Sequence, residues 1–130
     1  MTAHKKSSSP VALVTGAAKG VGSAIARQLA HDGYTVVVHY HSSSAEAKRT
    51  LATIRALEPA SSMIAANIRN RKEREQLVRL VTKRYGRIDV LVNTVGNFIY
   101  TPLAKTTPEA WRDVMESNLE ATMFLSQLVL

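Results

Sequence analysis

The residues Thr15-Gly16-Ala17-Ala18-Lys19-Gly20-Val21-Gly22 combine glycine spacing with a position that can do chemistry. They stand between a short apolar run, Val11 to Val14, and a helical pattern in which Val21, Ile25 and Leu29 recur at four-residue spacing. Glycines at such a junction have separate tasks. One permits a tight turn, one lets the backbone approach a phosphate, and one lets the helix lie close on the sheet. The helix start then offers unpaired N–H groups and a positive dipole end. The chemistry is the holding of a dinucleotide pyrophosphate. The pattern is Gly-x-x-x-Gly-x-Gly rather than Gly-x-Gly-x-x-Gly, and three glycines can also be loop punctuation; the strand before and helix after favour the phosphate.

About twenty residues past such a turn, NAD-binding proteins usually present a carboxylate to the ribose hydroxyls. Here the second apolar run ends Val38-His39-Tyr40-His41-Ser42-Ser43, with no carboxylate before Glu46. A carboxylate would repel a 2′-phosphate, so its absence, together with Lys19, favours NADP(H). Ser42 and Ser43 can hydrogen-bond that phosphate, and they can also start the next helix; the two roles are compatible. His39 and His41 face the same way on a strand, as a metal pair would, but no third ligand lies in reach by sequence. His4 and His31 are equally unsupported, and no metal is expected. A later apolar run closes with Asn93-Thr94-Val95-Gly96, and Asn118 lies in a helical pattern among Met115, Leu119 and Thr122. Asparagine inside a helix is mildly unfavourable, so Asn118 is either solvated surface or a hydrogen-bonding element held at an active site.

The elements that must position these residues alternate strictly. A first strand, Val11 to Val14, leads to a helix from about Val21 to His31, ending at Asp32-Gly33. A strand from Thr35 to Tyr40 precedes a helix with the stripe Ala47, Leu51, Ile54 and Leu57, with Pro59 beyond its end. Met63 to Ala66 forms a third strand, followed by a basic helix ending near Tyr85-Gly86. Ile88 to Val92 forms a fourth, and after a loop the last helix opens with Thr107 as N-cap and Pro108 in first position. Alternating strands and helices with apolar strands predict an α/β fold, a Rossmann-type doubly wound parallel sheet with strand order 3-2-1-4. In such sheets the ligand lies outside the carboxyl ends of the strands.

The 130 residues allow one domain, and the absence of cysteine excludes disulfide scaffolds, thiolate metal sites and cysteine nucleophiles. Residues 1–10 read as a polar disordered tail, not a signal peptide, and no apolar run is long enough to span a bilayer. The cytoplasm is the expected compartment. Much of the net charge of +7 lies between Arg69 and Arg87. That segment reads either as a nucleic-acid face or as the solvated side of an amphipathic helix whose inner side is Leu77, Leu80, Val81 and Tyr85. No aromatics interleave with the charges to stack bases, which favours the solvated face.

Taken together, Thr15-Gly16-x-x-x-Gly20-x-Gly22, Asn93-x-x-Gly96, and Asn118 followed by Leu119 and Phe124 resemble the short-chain dehydrogenases/reductases, in order and spacing from about Val11 onward. Thr15 to Lys19, His39-Tyr40-His41 and Ala45-Glu46-Ala47 look most similar to 3-oxoacyl-thioester reductases and pteridine reductases, which use NADPH. The resemblance implies that Gly16, Lys19, Gly20 and Val21 lie along the pyrophosphate and adenosine ribose, within a cofactor site that also includes Thr15, Gly22, His39, Tyr40, Ser42 and Ser43. It implies that Asn67 and Ile68 flank the adenine and that Asn93 borders the adenine ribose and supports the sheet. Gly96 would admit the cofactor closely, and Asn118 would bend its helix and hold a water in the catalytic proton relay. Three places depart from the pattern. Asn67-Ile68 replaces the usual Asp-Val, Asn93-Thr94-Val95-Gly96 replaces Asn-Asn-Ala-Gly, and Gly20 and Ser42 stand where pteridine reductases tend to carry arginines.

The family's chemistry also needs a serine on the substrate carbonyl and a tyrosine general acid with a lysine four residues later. Four residues after Tyr34, Tyr40, Tyr85 and Tyr100 stand Val38, Ser44, Asp89 and Ala104. No such pair exists, and the sequence stops inside the helix that precedes the serine-bearing strand. Residues 11–130 are therefore expected to form a partial dinucleotide-binding domain, truncated before the later strands and inactive alone. Its fourth strand would be an unpaired apolar edge, and Trp111, Met115, Leu119, Met123 and Leu128 would lack cover. The complete enzyme is expected to be a homo-oligomer, a dimer or tetramer, acting on a small-molecule carbonyl substrate, with no nucleic-acid or membrane partner. Two other readings stay open: a non-catalytic NADP-binding regulatory or interaction protein, and a basic nucleic-acid-binding domain.

Overall fold

A computed structural model describes residues 8–130. The expected tail therefore falls largely outside the described residues, as does His4. The strands are β1 (Val11–Val14), β2 (Thr35–Tyr40), β3 (Ser62–Ala65) and β4 (Val90–Val92). All pair in parallel, in the order β3-β2-β1-β4. The register places Val14 beside both Val38 and Val92, and Tyr40 beside Ala65, so the carboxyl ends form one row. Between the strands run α1 (Gly20–His31), α2 (Ser44–Arg55) and α3 (Arg71–Tyr85). After β4, a loop with one 3₁₀ turn leads to α4 (Pro108–Met115). A π-helical turn at Glu116–Glu120 continues it into α5 (Ala121–Val129).

Strand alternation sorts the core into two layers. Val11, Leu13 and Val37 join Leu77, Val81, Tyr85 and Leu125 on one face, while Val14, Val36 and Val38 join Ala26, Ala30, Ala47 and Ile54 on the other. β1 is buried along its whole length, as expected of a central strand with helices on both faces. β3 and β4, the two edges, are only partly covered.

Three details of the packing differ from the sequence pattern. The inner face of α1 is Gly22, Ser23, Ala26 and Ala30, whereas Val21 is 71% exposed. Small residues bring the helix close beneath the glycine turn, which rotates the apolar stripe by one position. In α3, Leu80 is exposed and Arg74 is buried, so Arg74 is not part of a solvated basic face. Leu57 lies past the end of α2 and is exposed. No helix among the described residues is long and apolar enough to cross a membrane.

Candidate functional site

The turn from Thr15 to Lys19 leaves β1 at the carboxyl edge of the sheet and is tied to its neighbours on three sides. Toward β4, Thr15 N–H donates to Val92 O (2.9 Å) and Thr94 N–H to Thr15 Oγ1 (3.0 Å). The Thr94 hydroxyl donates to Thr15 O, so the residue departing from the Asn-Asn-Ala-Gly pattern helps to fasten the turn. Toward β2, Ala17 N–H donates to His39 O (2.9 Å) and Gly16 N–H to His39 Nδ1 (3.2 Å). Toward α2, the Thr50 hydroxyl donates to Ala18 O (2.9 Å).

Glycine is required in this turn for two reasons. Gly20 has φ of +61° in open space, so its need is conformational. A β-carbon at Gly22 would lie 2.3 Å from Gly16 O, so there the need is the approach of α1 to the turn.

Beside the turn lies a cleft of about 190 Å³ over the ends of β1, β2 and β3. Lys19 and Gly16 border it on one side, Tyr40, His41, Ser42 and Ser43 beyond β2, and Asn67, Ile68 and Arg69 beyond β3. None of the lining residues is acidic. Ser43 occupies the N-cap of α2 without a side-chain capping bond, so its hydroxyl is not used to start the helix.

The lip after β3 is a tight turn. Asn67 N–H donates to the Glu73 carboxylate (2.6 Å), and Arg69 N–H donates to Asn67 Oδ1 (3.2 Å). Beneath it, Arg74 is 4% exposed and donates to Ile68 O (2.7 Å) and Arg69 O (2.9 Å). Its guanidinium also stands 5.6 Å from the centre of the Phe124 ring. The buried guanidinium is thus held by two carbonyl dipoles and a ring face, while its Nε has no hydrogen-bond partner.

His39 is buried, and its Nε2–H donates to Ala66 O (2.8 Å). With Nδ1 accepting from Gly16, both ring nitrogens are engaged within the protein, which leaves neither for a metal. Burial lowers the imidazole pKa most, the bond to Ala66 opposes this, and the neighbouring His41 lowers it further.

At the far end of β4, Asn93 donates through Nδ2 to Ser126 Oγ (3.3 Å), while its buried Oδ1 has no protein partner. Asn118 sits in the π-helical turn, and its Nδ2 donates to Val114 O (2.9 Å), four residues earlier, and to Asn97 O (2.8 Å). A side chain inserted into the helical hydrogen-bond ladder is a recognised cause of such a distortion. A β-carbon on Gly96 would lie 2.1 Å from Asn118 Oδ1, so Gly96 makes room for this side chain. Asn97 also contacts Asp113 and Ser117 Oγ (2.6 Å from its Oδ1), and Arg69 pairs with Asp113 and with Glu116 (2.8 Å). The hydrogen bond to Glu116 is the main influence holding Arg69 charged.

The structure therefore gathers Gly16, Lys19, His39, Tyr40, Ser42, Ser43, Asn67 and Ile68 around one cleft. Thr15 and Gly22 are buried behind it, and Gly20 begins α1. Val21 is exposed on α1 and does not line the cleft; Asn93, Gly96 and Asn118 lie at the end of β4. Sequence reasoning did not single out Arg69 or Ser117. Arg69 was one charge in a basic run, and Ser117 carried no signal beyond its place before Asn118.

A 3-2-1-4 parallel sheet with a glycine turn over its carboxyl edge defines a dinucleotide-binding Rossmann fold. The chain belongs to the short chain dehydrogenase family, whose family model matches residues 10–130. It is 36% identical over 118 residues to a 3-oxoacyl-[acyl-carrier-protein] reductase of Staphylococcus epidermidis, covering 91% of this chain and 48% of that one. Among solved structures, a variant of actinorhodin polyketide ketoreductase with NADPH superposes with a TM-score of 0.87 at 37% identity, covering 94% of this chain and 46% of that one. A Burkholderia cenocepacia short chain dehydrogenase in complex with NADP gives a TM-score of 0.88 at 32% identity, covering 92% and 49%. The chain spans about half the length of the curated relatives it matches.

Proposed function

We propose that these residues form the NADP(H)-binding half of a carbonyl reductase. The observation that carries the reading is a cleft beside the glycine turn with Lys19, Ser42 and Ser43 on its border and no acidic lining residue. A 2′-phosphate is favoured by a cation and hydroxyl donors and disfavoured by a carboxylate. The relatives bound to NADPH and NADP support the same cofactor. The backbone of the glycine turn and the start of α1 receive the pyrophosphate. Asn67 and Ile68 flank the adenine, and the unpartnered Asn93 Oδ1 accepts from the ribose or a bound water.

The bound cofactor supplies a hydride to a carbonyl carbon. Asn118, given room by Gly96 and held by Asn97, contributes a polar group near the proton path. No tyrosine here has a lysine four residues on, so these residues hold the cofactor without completing the transfer. Fluorescence titration with NADPH and NADH tests the reading. Tighter binding of NADPH is expected, Lys19→Ala should remove most of the preference, and tighter binding of NADH would overturn the cofactor assignment.

A further inference from the structure

We infer that His39, as a neutral imidazole carrying its proton on Nε2, couples the two lips of the cofactor cleft, and that adding a second proton releases the cofactor. The inference rests on the cleft being the NADP(H) site. Gly16 N–H can only donate and the Ala66 carbonyl can only accept, so these partners fix the tautomer. One partner belongs to the turn that faces the pyrophosphate. The other is the residue before Asn67, on the lip that flanks the adenine. The main chain of His39 adds a third tie by accepting from Ala17 N–H. One side chain thus sets the width of the cleft as a positioning residue.

The ring is 1% exposed, so water cannot readily replace either bond. A proton on Nδ1 would set two donors against each other and leave Gly16 N–H without its acceptor. The glycine turn must then move. Of the charged and titratable groups nearby, His41 acts on the ring, Lys19, Tyr40 and Arg69 line the same cleft, and Glu73 of α3 is engaged by Asn67 N–H. Burial, as the largest influence, lowers the His39 pKa from its ordinary value of 6.5. Because the folded value is depressed, its contribution is complete above 6.5 and is lost as pH falls through the folded value.

Calorimetric titration with NADP⁺ from about pH 7.5 to about pH 4.5 tests this, since affinity should fall about tenfold per pH unit below the folded-state pKa of His39. The 2′-phosphate of the ligand titrates in the same range, so the decisive quantity is the difference between the protein and His39→Asn, with His41→Gln, a neighbour that also lines the cleft, as a second reference. The variant should bind more weakly at neutral pH and lack the His39 share of the slope; an equal slope would overturn the coupling. Nitrogen NMR of the unaltered protein avoids dependence on a variant that fails to fold. It should show Nδ1 bare and Nε2 protonated at neutral pH, with the ring titrating at lower pH once NADP⁺ is bound. The opposite tautomer, or a titration unmoved by NADP⁺, would sink the inference. Absence of NADP⁺ binding at every pH would instead overturn the cofactor reading itself.

Discussion

On the β1–β2 side of the sheet, position is set by main chain, small residues and fully buried side chains, whereas on the β4 side it is set by polar side chains, most of them partly exposed. The glycine turn is fixed by main-chain bonds to Val92 and His39, by the buried His39 imidazole and Thr50 hydroxyl, and by a helix packed so closely that Gly22 has no room for a β-carbon. Beyond β4, Phe98 is 88% and Trp111 61% exposed, and Asn118 is held by Asn97, itself tied to Asp113 and Ser117. The first region is closely packed and shielded from water. The second depends on groups for which water competes. The difference teaches that the cofactor end of this site is rigid by construction, while the Asn118 end is adjustable.

The sharpest way to break that contrast is Gly22→Ala. With its β-carbon 2.3 Å from a main-chain oxygen, α1 must lift off the turn. A loss of about 3 kcal/mol or more in urea unfolding is expected, with NADP⁺ binding abolished. A loss below about 1 kcal/mol would show that the helix can slide, and the rigid side would be no more rigid than the other.

Arg74 joins the two regions, since it fastens the lip after β3 and stacks on Phe124 of α5. Arg74→Ala should cost about 2 to 3 kcal/mol, because two carbonyls lose a charged donor. Arg74→Lys keeps the charge but not the fork and should fall between. Equal stability of all three proteins in thermal unfolding would mean that the buried guanidinium fastens nothing.

This division also explains what was legible in the sequence. The glycine turn and the Thr107-Pro108 helix start could be read because each follows from local sterics, glycine conformations and a side chain that accepts from Ala110 N–H as an N-cap, and the strand order because apolar strands alternating with helices restrict the topology. The lining by Lys19, Ser42 and Ser43 followed from strand ends meeting at one edge. The inner face of α1 was misplaced because Val21 outweighs Gly22 in hydrophobicity, although close packing selects the smaller residue. Arg74 looked like one more surface charge. Its burial depends on carbonyls at Ile68 and Arg69 and on a ring fifty positions away, none of which a local pattern encodes. His39 was named for the cofactor site, yet its brace across Gly16 and Ala66 needs three separate segments to meet.

Gly96→Ala sharpens the comparison from the other side. Its β-carbon would meet a side-chain oxygen, Asn118 Oδ1, rather than main chain. Asn118 can swing away, so the stability loss should be smaller than for Gly22→Ala, about 1 to 2 kcal/mol. The side-chain amide signals of Asn118 should nevertheless shift as its bonds to Asn97 and Val114 break. A loss exceeding that of Gly22→Ala would invert the ranking of the two regions.

The smallest effect is expected for Arg69→Ala, and its smallness is informative. Arg69 pairs with Asp113 and Glu116 across two segments, but its side chain is 41% exposed. Solvent screening and the entropy of a long side chain reduce such pairs to less than about 1 kcal/mol, and that remainder should shrink in salt. The mutation should therefore barely shift the unfolding midpoint while loosening the helix that carries Asn118, seen as faster amide exchange across Glu116–Glu120. A large, salt-independent loss of stability would place Arg69 with the rigid elements, and the β4 side would no longer be the adjustable half.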